Sequence, residues 1–364
     1  MKVKTWLIGW FVIVFILMFF IALNVYKVDP FFHYHKPQTE QYFYSLDNER
    51  SQNDGICKHF DYDAIITGTS MTENFKTSEM NEIFGVNSIK VPFAGGSYKE
   101  INDNLEVALK YNKDLKIIIR GLDYYRLLDD KDKMRQDLGE YPTYLYDNNP
   151  FNDVKYLYNK DVIFGRVYQM FIDKENNTSP AGITSFDAYG RWQDAFSFGK
   201  DTVIPNGLSV ESDKEQSCMT DDEKKMIYGN ITQNVTDLAD KYSDTEFYYF
   251  FTPYSAAWWG EQINDGNIYK YLEAEKYAIE LILEHDNIHL FSFNLCTDIT
   301  TDLNNYKDTM HYGEWINSFI LQKMYVGEYE LTDNNYEQYI DEEELFYINY
   351  DYSLMNEQID YEDD

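Results

Sequence analysis

The chain has 364 residues and a formal charge of −32, with 44% hydrophobic and 18% aromatic residues. So apolar a chain carries enough surface to offset ordering entropy, which argues against general disorder. So negative a charge argues against a nucleic-acid partner, since backbone binding needs Lys and Arg to displace counterions; neutral glycans, cations and basic proteins remain compatible. The length suits one large domain or two modest ones. Fourteen acidic residues and no Lys or Arg lie between Glu328 and Asp364. That stretch, 328–364, reads as an acidic, Tyr-rich tail, and the acidity as a solubilising surface.

Residues 6–26, WLIGWFVIVFILMFFIALNVY, form a charge-free run. Their number matches the roughly 20 residues a helix needs to span a bilayer core. A cleaved signal peptide would have a shorter apolar region, roughly 7–15 residues, ending at a small-x-small site. Ala22-Leu23-Asn24, leading into Val25-Tyr26-Lys27, is a poor one. Lys2 and Lys4 precede the run, and Lys27 is followed by Asp29. The positive-inside rule then keeps residues 1–5 cytoplasmic and places everything after Tyr26 outside. A single-pass cell-membrane protein with an extracytoplasmic main domain is expected. Residues 27–60 read as a polar, aromatic-rich stalk.

Beyond it, strand-length apolar runs alternate with helical patterns. The runs are Ala64–Ile66, a weaker one within Val86–Phe93, Lys116–Arg120, Phe247–Phe251 and Ile288–Phe293. Continuous β-branched or aromatic runs suit strands buried on both faces of a parallel sheet. Helical spacing joins Ile101, Leu105 and Leu109 after Ser97, then Ile268, Leu272 and Ile282, then Trp315, Ile316, Phe319 and Ile320. Thr220 with Glu223 predicts a capping box ahead of Ile227, Ile231 and Leu238. The alternation predicts a three-layer α/β/α domain over 61–327 with a mostly parallel sheet. Residues from about 126 to 219 break the rhythm and read as an insertion over one sheet edge, the kind of segment that forms lids or substrate walls.

Metal chemistry finds little support. His33, His35 and His59 lie near the membrane end; His285 and His289 stand at helical spacing, but Asp286-Asn287 reads as a helix end that would part them. Cys57, Cys218 and Cys296 are far apart and form no CxxC pair; three allow one disulfide at most with one thiol left over, and buried free thiols are the expectation. No metal and no cofactor is expected.

Two segments carry candidate chemistry. In Ile65-Ile66-Thr67-Gly68-Thr69-Ser70 a buried strand ends in a glycine turn that projects Ser70 at the first turn of a helix, where backbone N–H groups can hold an oxyanion. A plain N-cap is the other job for such a serine. In Asp308-Thr309-Met310-His311, a three-residue spacing on a helical turn would bring carboxylate and imidazole together. The carboxylate could fix the ring tautomer and leave the other nitrogen to take a serine proton. A surface hydrogen bond or part of a metal site would use the same pair. Placement favours chemistry: Ser70, Ala94-Gly95-Gly96-Ser97, Gly121-Leu122-Asp123, Thr252-Pro253-Tyr254-Ser255 and Asp308/His311 each follow one of the five runs. All would converge on the carboxyl edge of the sheet, where open α/β folds bind ligands.

Gly-Thr-Ser after the first strand, a glycine loop after the second and Asp-x-x-His near the end resemble the SGNH/GDSL hydrolase superfamily, over roughly 61–323 without the insertion. With the single span and Asn304-Asn305-Tyr306-x-Asp308-x-x-His311-Tyr312, the chain is similar to membrane-anchored bacterial proteins of surface-polymer modification. These are accessory proteins of alginate O-acetylation and of teichoic-acid D-alanylation that work beside a multi-span membrane acyltransferase. The resemblance implies an SGNH/flavodoxin-like fold, with Ser70 as nucleophile, His311 as base and Asp308 as its orienter. Gly95 and Ser70 N–H groups would be oxyanion donors, and Asp123 and Tyr254 would line the pocket. Where the superfamily has Gly-x-Asn-Asp, this chain has Gly121-Leu122-Asp123-Tyr124. A carboxylate donates nothing to an oxyanion, so Asp123 is expected to shape the pocket or hold a loop. The implied activity is O-acyl transfer or ester hydrolysis on a cell-surface polysaccharide or teichoic acid. The alternative is a non-catalytic partner of a membrane acyltransferase. Trp192, Trp258 and Trp259 suit either sugar stacking or core packing.

Overall fold

An apolar run without charges must satisfy its backbone internally to sit in lipid, and a helix does so. In the computed structural model the run lies within one helix, α1 (Val3–Val28), none of whose most apolar 18-residue window is buried against the rest of the chain. It is long and apolar enough to cross a membrane, as an anchor or as a signal sequence. The structure describes residues 3–147, 149–211 and 213–360. Lys2 and the last four residues of the acidic tail fall outside them.

The chain divides into two units. The first joins Met1–Phe60 with Leu138–Ser185. It contains α1, α2 (Glu49–His59) and a short parallel pairing of Phe43–Tyr44 with Gly182–Ile183. Asp29 is its buried polar centre. The carboxylate accepts backbone N–H bonds from His33, Tyr34 and His35 at 2.7–3.1 Å and the Tyr156 hydroxyl at 2.8 Å. Residues 27–60 thus fold with the middle of the 126–219 stretch rather than standing as bare linker.

The second unit, Asp61–Asp137 with Phe186–Asp364, holds the sheet. Its strands are β1 (Ala64–Gly68), β2 (Ser88–Pro92), β3 (Ile117–Leu122), β4 (Glu246–Phe251), β5 (Ile288–Ser292) and β6 (Glu330–Leu331). The spatial order is β2-β1-β3-β4-β5-β6, parallel except for the last strand, which runs against β5. The five predicted runs are the five parallel strands, and every residue of β1 is buried. This is the mixed α/β, mostly parallel architecture expected, in the flavodoxin-like order. Between β1 and β3 the winding reverses, so the carboxyl ends of those strands flank the crevice where such folds bind ligands.

Helices α3 (Thr77–Phe84) and α4 (Tyr98–Tyr111) follow β1 and β2. A capping box starts α4, with Ser97 accepting from Glu100 N and Glu100 accepting from Ser97 N. The capping box expected at Thr220 and Glu223 starts α5 (Asp221–Ile231). Between β4 and β5 come α6 (Ala256–Asp265) and α7 (Ile268–Ile282); α8 (Glu314–Val326) and α9 (Tyr336–Asn349) follow β5. Most of the acidic tail is therefore ordered structure, since it supplies β6 and α9.

Glu275 of α7 and Glu343 of α9 are fully buried and close enough for their charges to interact. Burial raises the pKa of both, and the neighbouring Glu343 charge raises that of Glu275 further. The Tyr124 hydroxyl donates to Glu275 at 2.8 Å and the Asn294 amide to Glu343 at 2.6 Å. Trp258 and Trp259 sit in the same aromatic core, at most 5% exposed. Cys57 and Cys296 are buried as expected, while Cys218 is exposed.

Candidate active site

The turn after β1 is built by two residues with little alternative. Gly68 has φ +149, and a Cβ there would lie 2.6 Å from Thr72 Cγ2. Glycine is the residue that suits this conformation without strain. Thr69 then caps a single 3-10 turn, Ser70–Thr72, so Ser70 begins the turn as predicted. The Thr69 hydroxyl donates to Asp123 Oδ2 at 2.7 Å, which ties the turn to the end of β3.

Asp308 and His311 come together by a different route from the one the spacing suggested. Residues 306–312 are not helical: an antiparallel bridge pairs Tyr306 with Tyr312, and Lys307 N donates to His311 O at 3.0 Å. Inside this closed loop Asp308 Oδ1 accepts the backbone N–H groups of Met310 and His311 at 2.9 and 2.8 Å. The same carboxylate takes the His311 ring, with Nδ1 at 2.8 and 2.9 Å from its two oxygens. A short loop with a carboxylate at its centre does what a helical turn was expected to do. The loop is anchored on the segment after β4. Ser255 N and Oγ donate to Thr309 O at 3.0 and 2.8 Å, and the Tyr306 hydroxyl donates to Pro253 O at 2.8 Å.

These anchors place His311 Nε2 2.8 Å from Ser70 Oγ. A carboxylate on the Nδ1 side only accepts, so Nδ1 carries the ring proton and Nε2 is free to accept from the serine. Burial alone would raise the Asp308 pKa. The bond from the His311 ring, its charge and the two backbone donors outweigh that and hold the carboxyl well below its usual range. It therefore remains ionised throughout the neutral range.

Trp192, from the end of the 126–219 stretch, closes one side. Its Nε1 donates to Ser70 O at 3.2 Å, its backbone N donates to Asn74 Oδ1 at 3.0 Å, and its ring meets His311 edge-on at 5.8 Å. Lys307 lies 4.8 Å over the same ring and 3.3 Å from Asp308 Oδ2. Of the three tryptophans noted in the sequence, this one belongs to the site. Neither its bond to Ser70 nor the role of Lys307 had a sequence signal, because both depend on how a long loop returns to the sheet.

The loop after β2 brings Gly95, since β1 and β2 end side by side with Gly68 paired to Pro92. Gly95 has φ +59, and a Cβ there would meet Arg135 Nη1 at 2.6 Å. Arg135 Nη1 donates to Ala94 O, and Arg126 Nη2 to Gly95 O. In a planar trans peptide the C=O of Ala94 and the N–H of Gly95 point in opposite directions. Arg135 thus fixes the orientation of the candidate oxyanion donor from behind. The sequence held no hint of either arginine.

Asp123 and Tyr254 lie beneath the site rather than on its surface. Tyr254 is fully buried and its hydroxyl donates to Asp123 Oδ1 at 2.8 Å. Burial raises the Asp123 pKa against the lowering effect of the Thr69 and Tyr254 donors. Both carboxyl oxygens are occupied in joining the ends of β1, β3 and β4, the loop-holding job expected. The other histidines disperse: His285, past the end of α7, meets Asp240 at 2.7 Å, while His289 lies in β5 against Glu330 and Glu246. Among the described residues no three His, Cys, Asp or Glu side chains converge as a metal site.

No family model and no curated protein matches the chain. A solved structure described provisionally as a platelet activating factor from Streptococcus pneumonia aligns with 80% of this chain and 91% of its own, at 12% identity and a TM-score of 0.36.

Proposed function

We propose that the protein is a membrane-anchored, extracytoplasmic serine acyltransferase or esterase acting on O-acyl groups of a cell-surface polysaccharide or teichoic acid. The observation that carries the reading is the unbroken line from Ser70 Oγ through both ring nitrogens of His311 to Asp308, each step at 2.8 Å. Ser70 Oγ attacks the acyl carbonyl while its proton passes to His311 Nε2. The N–H groups of Ser70 and Gly95 hold the resulting oxyanion. Collapse breaks the ester C–O bond, and the departing alkoxide takes the proton from Nε2, leaving acyl-Ser70. A sugar hydroxyl or water then loses its proton to His311, attacks the acyl group and releases Ser70, which regains that proton. Exposed α1 supports an anchor, and the lysines around it support an outward-facing domain.

A second reading has its own support. Asp123 stands where a third oxyanion donor would be, with both oxygens already occupied. That suits a chain which docks a multi-span acyltransferase or binds polymer without turning over. Full-length protein in detergent, treated with a fluorophosphonate probe and with a chromogenic acetyl ester, separates the two. Labelling at Ser70, with ester cleavage lost in Ser70→Ala, is expected. A folded wild-type protein that neither labels nor cleaves would leave the non-catalytic reading standing.

A further inference from the structure

A cavity of about 350 Å³ lies behind Trp192, lined by Phe196, Phe198, Trp315, Gln193, Ser197, Asn304 and Asn305. We infer that this cavity is a subsite for one neutral sugar ring of the polymer whose acyl group sits at Ser70, an inference that rests on the proposed function for its substrate class.

Three observations point to this ligand chemistry. The first is exposed aromatic surface in a concave setting: Phe196 is 52% and Trp315 43% exposed. Apolar rings left open to water at a cavity wall have burial still to gain from a ligand. The second is the type of polar group between them. Gln193 Oε1 is used by Glu314 N at 2.8 Å, which leaves its amide N–H₂ to donate, and the Ser197 hydroxyl is exposed. Trp315 is held in place by its Nε1 bond to Asn305 Oδ1 at 2.8 Å. A sugar ring presents a face of C–H groups, which suits the electron-rich face of an aromatic ring, and a rim of hydroxyls, which suits amides and hydroxyls. A fatty acyl chain would instead favour a closed, wholly apolar slot.

The third observation is continuity with the triad. Trp192 meets His311 at 5.8 Å on one side and stacks on Phe198 at 6.3 Å and 18° on the other. Phe198 in turn meets Trp315 at 5.1 Å. A row of rings therefore runs from the reacting atoms into the cavity. A polymer ester held at Ser70 would place a neighbouring ring of the same chain along that row.

Full-length Ser70→Ala protein in detergent, titrated with cellohexaose and with chitohexaose while tryptophan emission is followed, tests the subsite without requiring turnover. A saturable change with at least one oligosaccharide, weakened about fivefold or more in Phe196→Ala, is expected from the loss of one stacking ring. No saturable change with either sugar would overturn the inference, as would affinity unaltered by both Phe196→Ala and Trp315→Ala. Activity on the small acetyl ester is the control that separates the two ideas. Trp315→Ala leaves it within twofold of wild type, whereas an inert Ser70 abolishes it and leaves the sugar titration intact.

Discussion

Replacing Asp308 by Asn keeps the size of the side chain and inverts what it can offer the imidazole. The Asn oxygen can still accept the backbone N–H groups of Met310 and His311, which now reach Oδ1 at 2.9 and 2.8 Å, so the loop retains its frame. The other branch becomes an N–H₂ donor facing Nδ1. Two donors cannot share that bond, and the retained Oδ1, 2.9 Å from Nδ1, already accepts both backbone N–H groups, so the ring is driven to carry its proton on Nε2, opposite Ser70 Oγ. The serine then has no base. General-base catalysis by a positioned side chain contributes about 10²–10⁴-fold, or roughly 3–5 kcal/mol of barrier. The bimolecular rate of fluorophosphonate labelling should fall by that factor, with kcat for an acetyl ester, while thermal stability changes by no more than about 1 kcal/mol, since Asp308 is only partly buried. A variant that labels within threefold of wild type, where Ser70→Ala does not label, would refute the tautomer argument.

Arg135→Ala frees the Ala94 carbonyl and, through the rigid peptide, the Gly95 N–H; kcat should fall about 10-fold or more with KM little changed, measured on a small ester. Gly68→Ala forces a Cβ against Thr72 at the base of the nucleophile turn. It should lower stability by about 1–3 kcal/mol by thermal melting and reduce Ser70 labelling. The buried Glu275–Glu343 pair predicts a pH effect with a definite sign. Both folded-state pKa values are raised above an unfolded value of about 4.3. The stability linked to the pair is thus fully present below that pH and lost as pH rises toward the raised values. Glu275→Gln leaves one carboxyl beside a neutral amide, so melting temperatures between pH 5 and 8 should slope less steeply than in wild type.

The fold was readable where hydrophobic runs are continuous. Ile65-Ile66, Lys116–Arg120 and Phe247–Phe251 became central strands because a strand buried on both faces needs no alternation. Ser70 and His311 were readable because strand order alone sends their segments to one edge. The Asp308–His311 contact was found for an inexact reason: the three-residue spacing serves a helical turn and a bridged loop equally well. What stayed hidden depends on long-range return of the chain. Trp192, Arg126 and Arg135 lie in a stretch whose sequence has no period, and their partners are backbone carbonyls, which leave no mark on composition. The ordered tail was hidden for another reason. Glu343 looks like one more solvated acid, and only its burial against Glu275 gives it a structural place.

The Tyr306–Tyr312 bridge divides the assembly of the three residues unequally. Asp308 and His311 meet inside a loop that closes over a handful of residues, which costs little chain entropy. Ser70 and His311 stand 241 positions apart and meet only when β1 and the segment after β4 have taken their places in the sheet. Loss of the second unit's tertiary structure therefore separates the nucleophile from its base before it need separate the base from its carboxylate. Ser70 reactivity becomes an all-or-none gauge of whether that unit is folded, and the local pair by itself reports nothing.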